Sequence, residues 1–598
     1  MLYPLVNAHR GYLNLGGVWS FRRDESADGT DVTWASAPLA GAIPMPVPAS
    51  YNDITQDASL RDHLGCVWYE RSFVVPRQVC AGRMELRFDA VAHHATVWLD
   101  GLLLGEYRGG FLPFVFDVTA RVKVGATHRL TVRVNNMLTW QDMPPGEIRH
   151  PRDVANYPEG FRWQETHFDF FNYAGIHRPV RLVFTPSRRI ERIRCRTEID
   201  GTVGRVDYTV TASPGATVAA RLRDADGAVV GEAIGSEGRI TVDAPRLWSP
   251  RAPHLYRLEV SLADAATGEE LDVYEERIGI RTVAVAGKRL LLNGEPVYLR
   301  GFGRHEDMDV KGRALDLALL VKDHNLMDWI GANSYRTSHY PYSEEAMRMA
   351  DERGILVIDE VPAVGMNSWS HEPVIFTSER ANDDTLAEHL RTLAELIERD
   401  ANHPSVICWS VANEAATWEP ASVPYFEKVC AHARALDDSR PLMIVEAARA
   451  ITEPDRMPGS RVAHLADIVG VNRYYGWYND PGRLDLVARQ MERELRHWWD
   501  AFGKPILLAE YGADTIPCVH ADPPQMFSEE FQADFLARYH EALDACDFVI
   551  GEHVWNFADF ATKQGFTRVL GNRKGVFTRQ RQPKQAAHAL RARWTKQA

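Results

Sequence analysis

The chain has 598 residues, 45% of them hydrophobic and 25% charged, the balance of an ordinary soluble globular protein. At roughly 150 residues per domain it has room for three or four. A formal net charge of −13 argues against a general nucleic-acid binder, which needs a basic footprint. It leaves an anionic substrate open, because a few local cations dominate a small pocket. Seven cysteines (Cys66, Cys80, Cys195, Cys408, Cys430, Cys518, Cys546) are scattered without a CxxC pair, so neither zinc nor a disulfide framework is expected. The opening "MLYPLVNAHRGYLNLGG" lacks a basic stretch followed by an apolar one, and no uncharged apolar run approaches the roughly 18 residues of a membrane span. The expectation is a cytoplasmic protein of a reducing compartment, with neither membrane nor nucleic acid as partner.

In chain order, residues 1–184 read as strands. Met84, Leu86 and Phe88 alternate with Glu85 and Arg87, and Leu130, Val132 and Val134 alternate with Thr131 and Arg133, a period of two that marks half-buried antiparallel sheet. Asp100-Gly101 is a turn signal between runs. The length favours a jelly-roll β-sandwich. Residues 185–283 continue the alternation in shorter units, including Leu258, Val260 and Leu262; about a hundred residues of this kind predict an immunoglobulin-like β-sandwich.

From residue 284 to 598 the rhythm changes. Leu386, Leu390, Leu393 and Ile397 share one helical face. Between such stretches lie eight strand-like runs: "VYLRGFGRH", "NSYRTSH", "ILVIDE", "VICWSVANE", "LMIVEA", "IVGVNRYY", "ILLAEYG" and "VIGEHVWNF". Eight strands mostly separated by helices predict a (β/α)₈ TIM barrel, whose catalytic groups sit at the carboxyl ends of the strands. The interval around 448–466 carries the weakest helical pattern. The predicted fold class is therefore multidomain β plus α/β: jelly roll, immunoglobulin-like sandwich, TIM barrel.

In that count Glu414 closes strand four and Glu510 closes strand seven. Two opposed carboxylates are what cleavage of a glycosidic bond requires, one to protonate the leaving oxygen and one to meet the sugar carbon. Trp555, after strand eight, offers a flat apolar face to a sugar ring, with an ordinary core tryptophan as the competing reading. His305 and His339 end strands one and two, positioned for a carboxylate or a hydroxyl. His305-Glu306-Asp307 superficially suggests metal ligands, but three adjacent side chains do not converge on one ion without distortion, so no metal is expected.

The motifs "NSYRTSHYP", "NHPSVICWSVANE", "VNRYYGWY", "AEYG", "GEHVWNFADF" and "RVLGNRKGVFTR", in this order across essentially the whole chain, resemble glycoside hydrolase family 2, and within it the β-glucuronidases. The resemblance implies that Glu414 is the general acid/base and Glu510 the nucleophile of a retaining, double-displacement reaction, with carboxyl groups roughly 5–5.5 Å apart. It implies that Asn413 binds the sugar 2-hydroxyl, that Tyr474 hydrogen-bonds the nucleophile, and that Asn472 and Tyr478 contact substrate. Asp169, which by itself is only a loop aspartate in "FDFFNYAGIHR", is implied to reach the barrel mouth. No organic cofactor is implied, and the family often forms tetramers, so a homo-oligomer is expected although no residue here fixes the subunit number.

A hexuronic acid differs from a hexose by a carboxylate at C6. Arg568, Asn572 and Lys574 lie together just beyond strand eight; alone they read as a solvated basic loop, but after "WNFADF" they match the family's carboxylate-reading pair with a second cation. The implied activity is exo-β-D-glucuronidase, releasing D-glucuronate and an alcohol from small β-glucuronides. A β-galacturonidase has the same carboxylate with the opposite C4 orientation. Asn572 and Lys574 disfavour a β-galactosidase or β-mannosidase. A catalytically silent carbohydrate-binding protein would not need both glutamates. Two departures stand out. Many relatives have Pro after the acid/base, where this chain has Ala415-Ala416, suggesting a looser loop around the aglycone. The segment 365–382 differs from the long apolar loops of some bacterial relatives.

Overall fold

Alternation in the first region becomes two antiparallel sheets. In the computed structural model, which describes residues 1–25, 32–77, 82–368, 374–447 and 459–596, a six-stranded sheet faces a four-stranded one. Trp19, Phe21, Tyr69, Leu86, Phe88, Leu130, Val132, Val134 and Leu182 fill the space between them. Asp100 and Gly101 form the two-residue loop joining strands His93–Leu99 and Leu102–Gly109. Both have positive φ, 52° and 82°, as a type I′ hairpin turn requires.

Arg87, expected on the solvent side of its strand, is instead buried. Its guanidinium pairs with Asp89 and with Glu344 of the barrel and donates to the Leu2 carbonyl. Period-two alternation distinguishes the faces of a strand; what covers the second face is a tertiary fact. Here the covering elements supply carboxylates, without which a buried guanidinium is costly.

The second region pairs a three-stranded sheet with a four-stranded one. Leu258, Val260 and Leu262 are fully buried among Val206, Tyr208, Leu222 and Tyr274. Seven short strands in two sheets are the immunoglobulin-like arrangement.

The third region closes into a parallel barrel of eight strands: β1 Leu299–Gly303, β2 Ser334–Arg336, β3 Leu356–Glu360, β4 Val406–Asn413, β5 Leu442–Glu446, β6 Ile468–Asn472, β7 Ile506–Glu510 and β8 Val549–Val554. From β2 onward every strand residue is buried, because helices cover the outer face and side-chain layers fill the inside. The helices are α1 Leu317–Ile330, α2 Glu344–Arg353, α3 Asp383–Asp400, α4 Ser422–Leu436, α5 Leu484–Phe502, α6 Glu529–Asp544 and α7 Gln585–Trp594.

Local sequence sets their ends. Asp316, Ser343, Asn382 and Ser528 accept backbone N–H bonds as N-caps, and Gly331, Gly354 and Gly503 close helices in the left-handed conformation. Leu386, Leu393 and Ile397 of α3 are buried as their spacing predicts, with Leu390 at the margin. Between β5 and β6 the described residues hold only the short 3₁₀ turn Ala463–Leu465; residues 448–458 of the weak helical interval lie outside the described residues. No helix of the described residues is long and apolar enough to cross a membrane.

Candidate active site

Glu510 is the last residue of β7, and Glu414 follows the last residue of β4. Glu414 is half-buried and has φ +54°, a left-handed conformation that costs a non-glycine residue free energy and is held where the surroundings impose it. Its N–H donates to the Val445 carbonyl at 2.8 Å. Glu510 is 4% exposed. Tyr474 Oη donates to its Oε2 at 2.7 Å, Arg336 donates to its Oε1, and His339 Nε2 stands 3.7 Å from the same oxygen.

Arg336 ties the strand ends together. It is fully buried at the end of β2 and donates to both oxygens of Glu360 at 2.8 Å and to Asn413 Oδ1 at 3.2 Å. Asn472 donates to the same Asn413 oxygen at 3.3 Å. His339 Nδ1 and Ser410 hold Glu360 in turn. Burial pushes the Glu360 carboxyl up, but the Arg336 charge and His339 outweigh it and hold the group below its ordinary value. The Tyr474 phenol is driven well above its usual range, first by burial and then by Glu510 and, more weakly, Tyr478 and Glu414. It therefore stays protonated and acts as a donor.

The expected cationic group is assembled, with counterions that the sequence reading missed. Lys574 Nζ donates to Tyr478 Oη at 3.0 Å and is ion-paired with Asp514. Arg568 donates to Asp169 Oδ1 at 2.8 Å and to Tyr478 Oη at 2.9 Å, and Asn572 donates to Asp169 Oδ2 at 2.8 Å. The Asp169 loop thus docks on the barrel, aided by the Phe171 N–H bond to the Ala561 carbonyl. Burial raises the Asp514 carboxyl, and Lys574 and Arg568 more than reverse that, leaving it below the usual range. Lys574 Nζ also lies 4.8 Å from the Tyr478 ring centroid and 5.7 Å from that of Tyr474, within cation–π reach. Tyr474 is the link between this group and Glu510.

Aromatic rings line the remaining side. Trp555, 5% exposed, stacks on His339 with centroids 5.1 Å apart, so one of its faces is already occupied. His305 packs edge-on to Trp555 and beside Phe170, Phe560 and His339. Burial, reinforced by His339 and nearby arginines, pushes the His305 imidazole well below its ordinary pKa, so the ring is neutral. Its Nε2 and Asn472 Oδ1 are buried without a hydrogen-bond partner among the described residues. Gly512 of "AEYG" lets β7 run beside this wall: an added Cβ would lie 1.9 Å from the Trp555 carbonyl oxygen. Among the described residues no three His, Cys, Asp or Glu side chains are grouped to hold a metal ion.

All thirteen residues expected at the site lie on this face or on the Asp169 loop that docks on it. Arg336, Glu360, Asp514 and Glu446 were not foreseen. Their signal is a charged residue inside or just past an otherwise apolar strand run. Of the segment 365–382, residues 369–373 lie outside the described residues, while the Ile375 and Phe376 N–H groups are fixed by Glu419.

Glu446 ends β5 and is buried; Thr417 Oγ1 and Ser460 Oγ donate to its two oxygens at 2.5 and 2.6 Å. Burial pushes its carboxyl up from 4.5 to about 7, against those two donors and the Arg473 charge. Between these values the native state holds a proton that the unfolded chain has released. Stability from this group is thus lost as pH rises through the window, by roughly 3 kcal/mol in all. Glu446→Gln is expected to gain on the parent in melting temperature between pH 5 and pH 8, measured by calorimetry; a difference independent of pH would contradict the shift.

The family described as "Glycosyl hydrolases family 2, TIM barrel domain" matches residues 283–598, its sugar binding domain matches 12–186, and "Glycosyl hydrolases family 2" matches 188–281. The chain belongs to glycosyl hydrolases family 2. Over 595 residues it is 51% identical to a beta-glucuronidase of Paenibacillus borealis, covering 99% of this chain and 98% of that one. A solved beta-D-glucuronidase of Dictyoglomus thermophilum superposes with a TM-score of 0.94 at 46% identity, covering 100% and 99% of the two chains. A beta-glucuronidase of Ruminococcus gnavus, solved in complex with D-glucuronic acid, gives 0.91 at 37% identity and 99% of both chains.

Proposed function

We propose that the protein is a retaining, exo-acting β-D-glucuronidase. The observation that carries this reading is the group formed by Lys574, Asn572 and Arg568, joined through Tyr478 and Tyr474 to Glu510. A β-glucuronide enters with its C6 carboxylate toward Lys574 and Asn572, where charge-assisted bonds are roughly twice as strong as neutral ones. Arg568 adds a second charge. Asp169, His305, His339, Asn413 and Asn472 take sugar hydroxyls; the unpartnered His305 Nε2 and Asn472 Oδ1 support this, since buried polar atoms in folded proteins are nearly always satisfied. Trp555 and Tyr478 border the ring.

Glu510, oriented by Arg336 and Tyr474, attacks C1 while protonated Glu414 donates to the glycosidic oxygen, and the alcohol leaves. Asn413 holds the 2-hydroxyl as positive charge develops at C1. Glu414, now a carboxylate, removes a proton from water, which attacks C1 and releases Glu510 and β-D-glucuronate. These steps use no metal or organic cofactor.

Parallel assays on aryl β-glucuronide, β-galacturonide and β-galactoside test the reading. The glucuronide should be the best substrate; equal or greater turnover of the neutral galactoside would defeat the carboxylate argument, and a galacturonide preference would make the enzyme a β-galacturonidase. We also divide the chain at 184/185 and 283/284, in keeping with separate apolar clusters at 15–184 and 190–280. The six described cysteines are unpaired, which supports a cytoplasmic site of action, and the family's habit of forming tetramers supports a homo-oligomer.

A further inference from the structure

We infer that Glu446 is a positioning residue for the acid/base loop, locking Glu414 over the leaving-group oxygen through Thr417. The inference rests on Glu414 being the general acid. After β4 the chain turns back at Glu414, with φ +54°, and two consecutive residues of β5 hold the turn. The Val445 carbonyl accepts the Glu414 N–H at 2.8 Å, and the Glu446 carboxylate accepts the Thr417 hydroxyl. The intervening Ala415 and Ala416 are fully buried, and the Ala416 N–H is tied to the Met366 carbonyl at 2.8 Å. A loop without the usual proline is thereby tethered at three points.

The second oxygen of Glu446 is also committed. Ser460 Oγ accepts the Val462 and Ala463 N–H groups, so its own proton is directed to Glu446. The next residue closes the other side of the loop: Arg461 N–H donates to the Thr417 carbonyl at 2.9 Å and Arg461 Nε to the Trp418 carbonyl at 3.0 Å. One buried carboxylate thus joins the loop after β4 to the segment before β6. Among the described residues no cation hydrogen-bonds this carboxyl, which makes it costly to bury, while a hydrophobic residue would fill the same space. Once ionised, above about pH 7, Glu446 presents two acceptor oxygens, which place Thr417 and Ser460 together.

A defect in proton donation is distinguished from general damage by its dependence on the leaving group. Good leaving groups depart without an acid; poor ones do not. In the full-length protein, Thr417→Val removes the donor at constant size, Glu446→Ala removes the acceptor, and Glu446→Gln retains one acceptor oxygen. Each is assayed above pH 7, where Glu446 is ionised, on 2,4-dinitrophenyl, phenyl and methyl β-glucuronides beside Glu414→Ala. For Thr417→Val and Glu446→Ala, kcat/KM on the phenyl and methyl substrates should fall by about 10-fold or more, against a full general-acid effect of about 10²–10⁴, while the dinitrophenyl substrate changes by less than about 3-fold. Glu446→Gln should lie between these variants and the parent.

Equal losses on all three substrates, or no loss, would overturn the inference; the size-neutral Thr417→Val keeps this decidable if Glu446→Ala folds poorly. If Glu414→Ala itself lacks the leaving-group dependence, the assignment of the acid fails first and the inference falls with it.

Discussion

Replacing Glu510 with alanine is expected to abolish turnover and leave the fold intact. The loss should be about four orders of magnitude or more, the scale of removing a covalent nucleophile. Breaking a buried ion pair ordinarily destabilises a protein because the remaining charge is left uncompensated. Arg336, however, keeps both oxygens of Glu360 and the Asn413 side chain, so its guanidinium stays paired when Glu510 is gone. The variant should therefore melt close to the parent while losing activity. Azide, small enough for the vacated space, should restore turnover of an activated aryl glucuronide and give the α-glucuronosyl azide. A variant that still turns over substrate at near-parental rates would remove Glu510 from the role.

Lys574→Ala is expected to harm glucuronide turnover far more than residual action on a β-glucoside. Lys574 is 1% exposed and is paired with Asp514. Its removal subtracts a cation from the C6 end of the pocket and also leaves Asp514 facing the incoming carboxylate, with Arg568 at 3.5 Å as its remaining ion-pair partner among the described residues. Lost attraction and new repulsion act in the same direction. Truncating one member of a buried charge pair costs about 2–5 kcal/mol, so kcat/KM for the glucuronide should fall by roughly 10²-fold or more. The glucoside has no charge to repel and should change little. Equal losses on both would make Lys574 a structural residue.

The barrel was legible because each strand run ends in polar residues and the stretches between carry a helical period, as Leu386, Leu390, Leu393 and Ile397 do, both local properties. The connection before β6 was not: "ITEPDRMPGSRVAHLAD" has no helical period, and its described part is only a single 3₁₀ turn. Arg87 was misplaced for the same reason in reverse. Its strand pattern is regular, but the element that covers its outer face comes from 257 residues away.

Within the site, Glu414 and Glu510 were readable as carboxylates ending apolar strands. Arg336 was hidden inside "NSYRTSH", which reads as a strand whether its arginine points in or out. Asp514 escaped notice because the basic loop looked complete without counterions. The pairing of Lys574 with Asp514 depends on the approach of two loops after β7 and β8, which no spacing in the sequence states. Glu446 was masked by an ordinary-looking strand end, "LMIVEA". Charges that are used locally could be read; charges that neutralise one another across loops could not.

Central to the account is a covalent bond between the sugar C1 and one carboxylate of β7. Incubation with 2-deoxy-2-fluoro-β-D-glucuronosyl fluoride slows both steps by destabilising the oxocarbenium-like transition states, while the good leaving group lets the first step proceed. Mass spectrometry of the digested protein should then find one fluoroglucuronosyl group per chain, on the peptide containing Glu510. A label on another carboxylate, or full turnover of β-glucuronides with release of the α-anomer and no adduct, would contradict it.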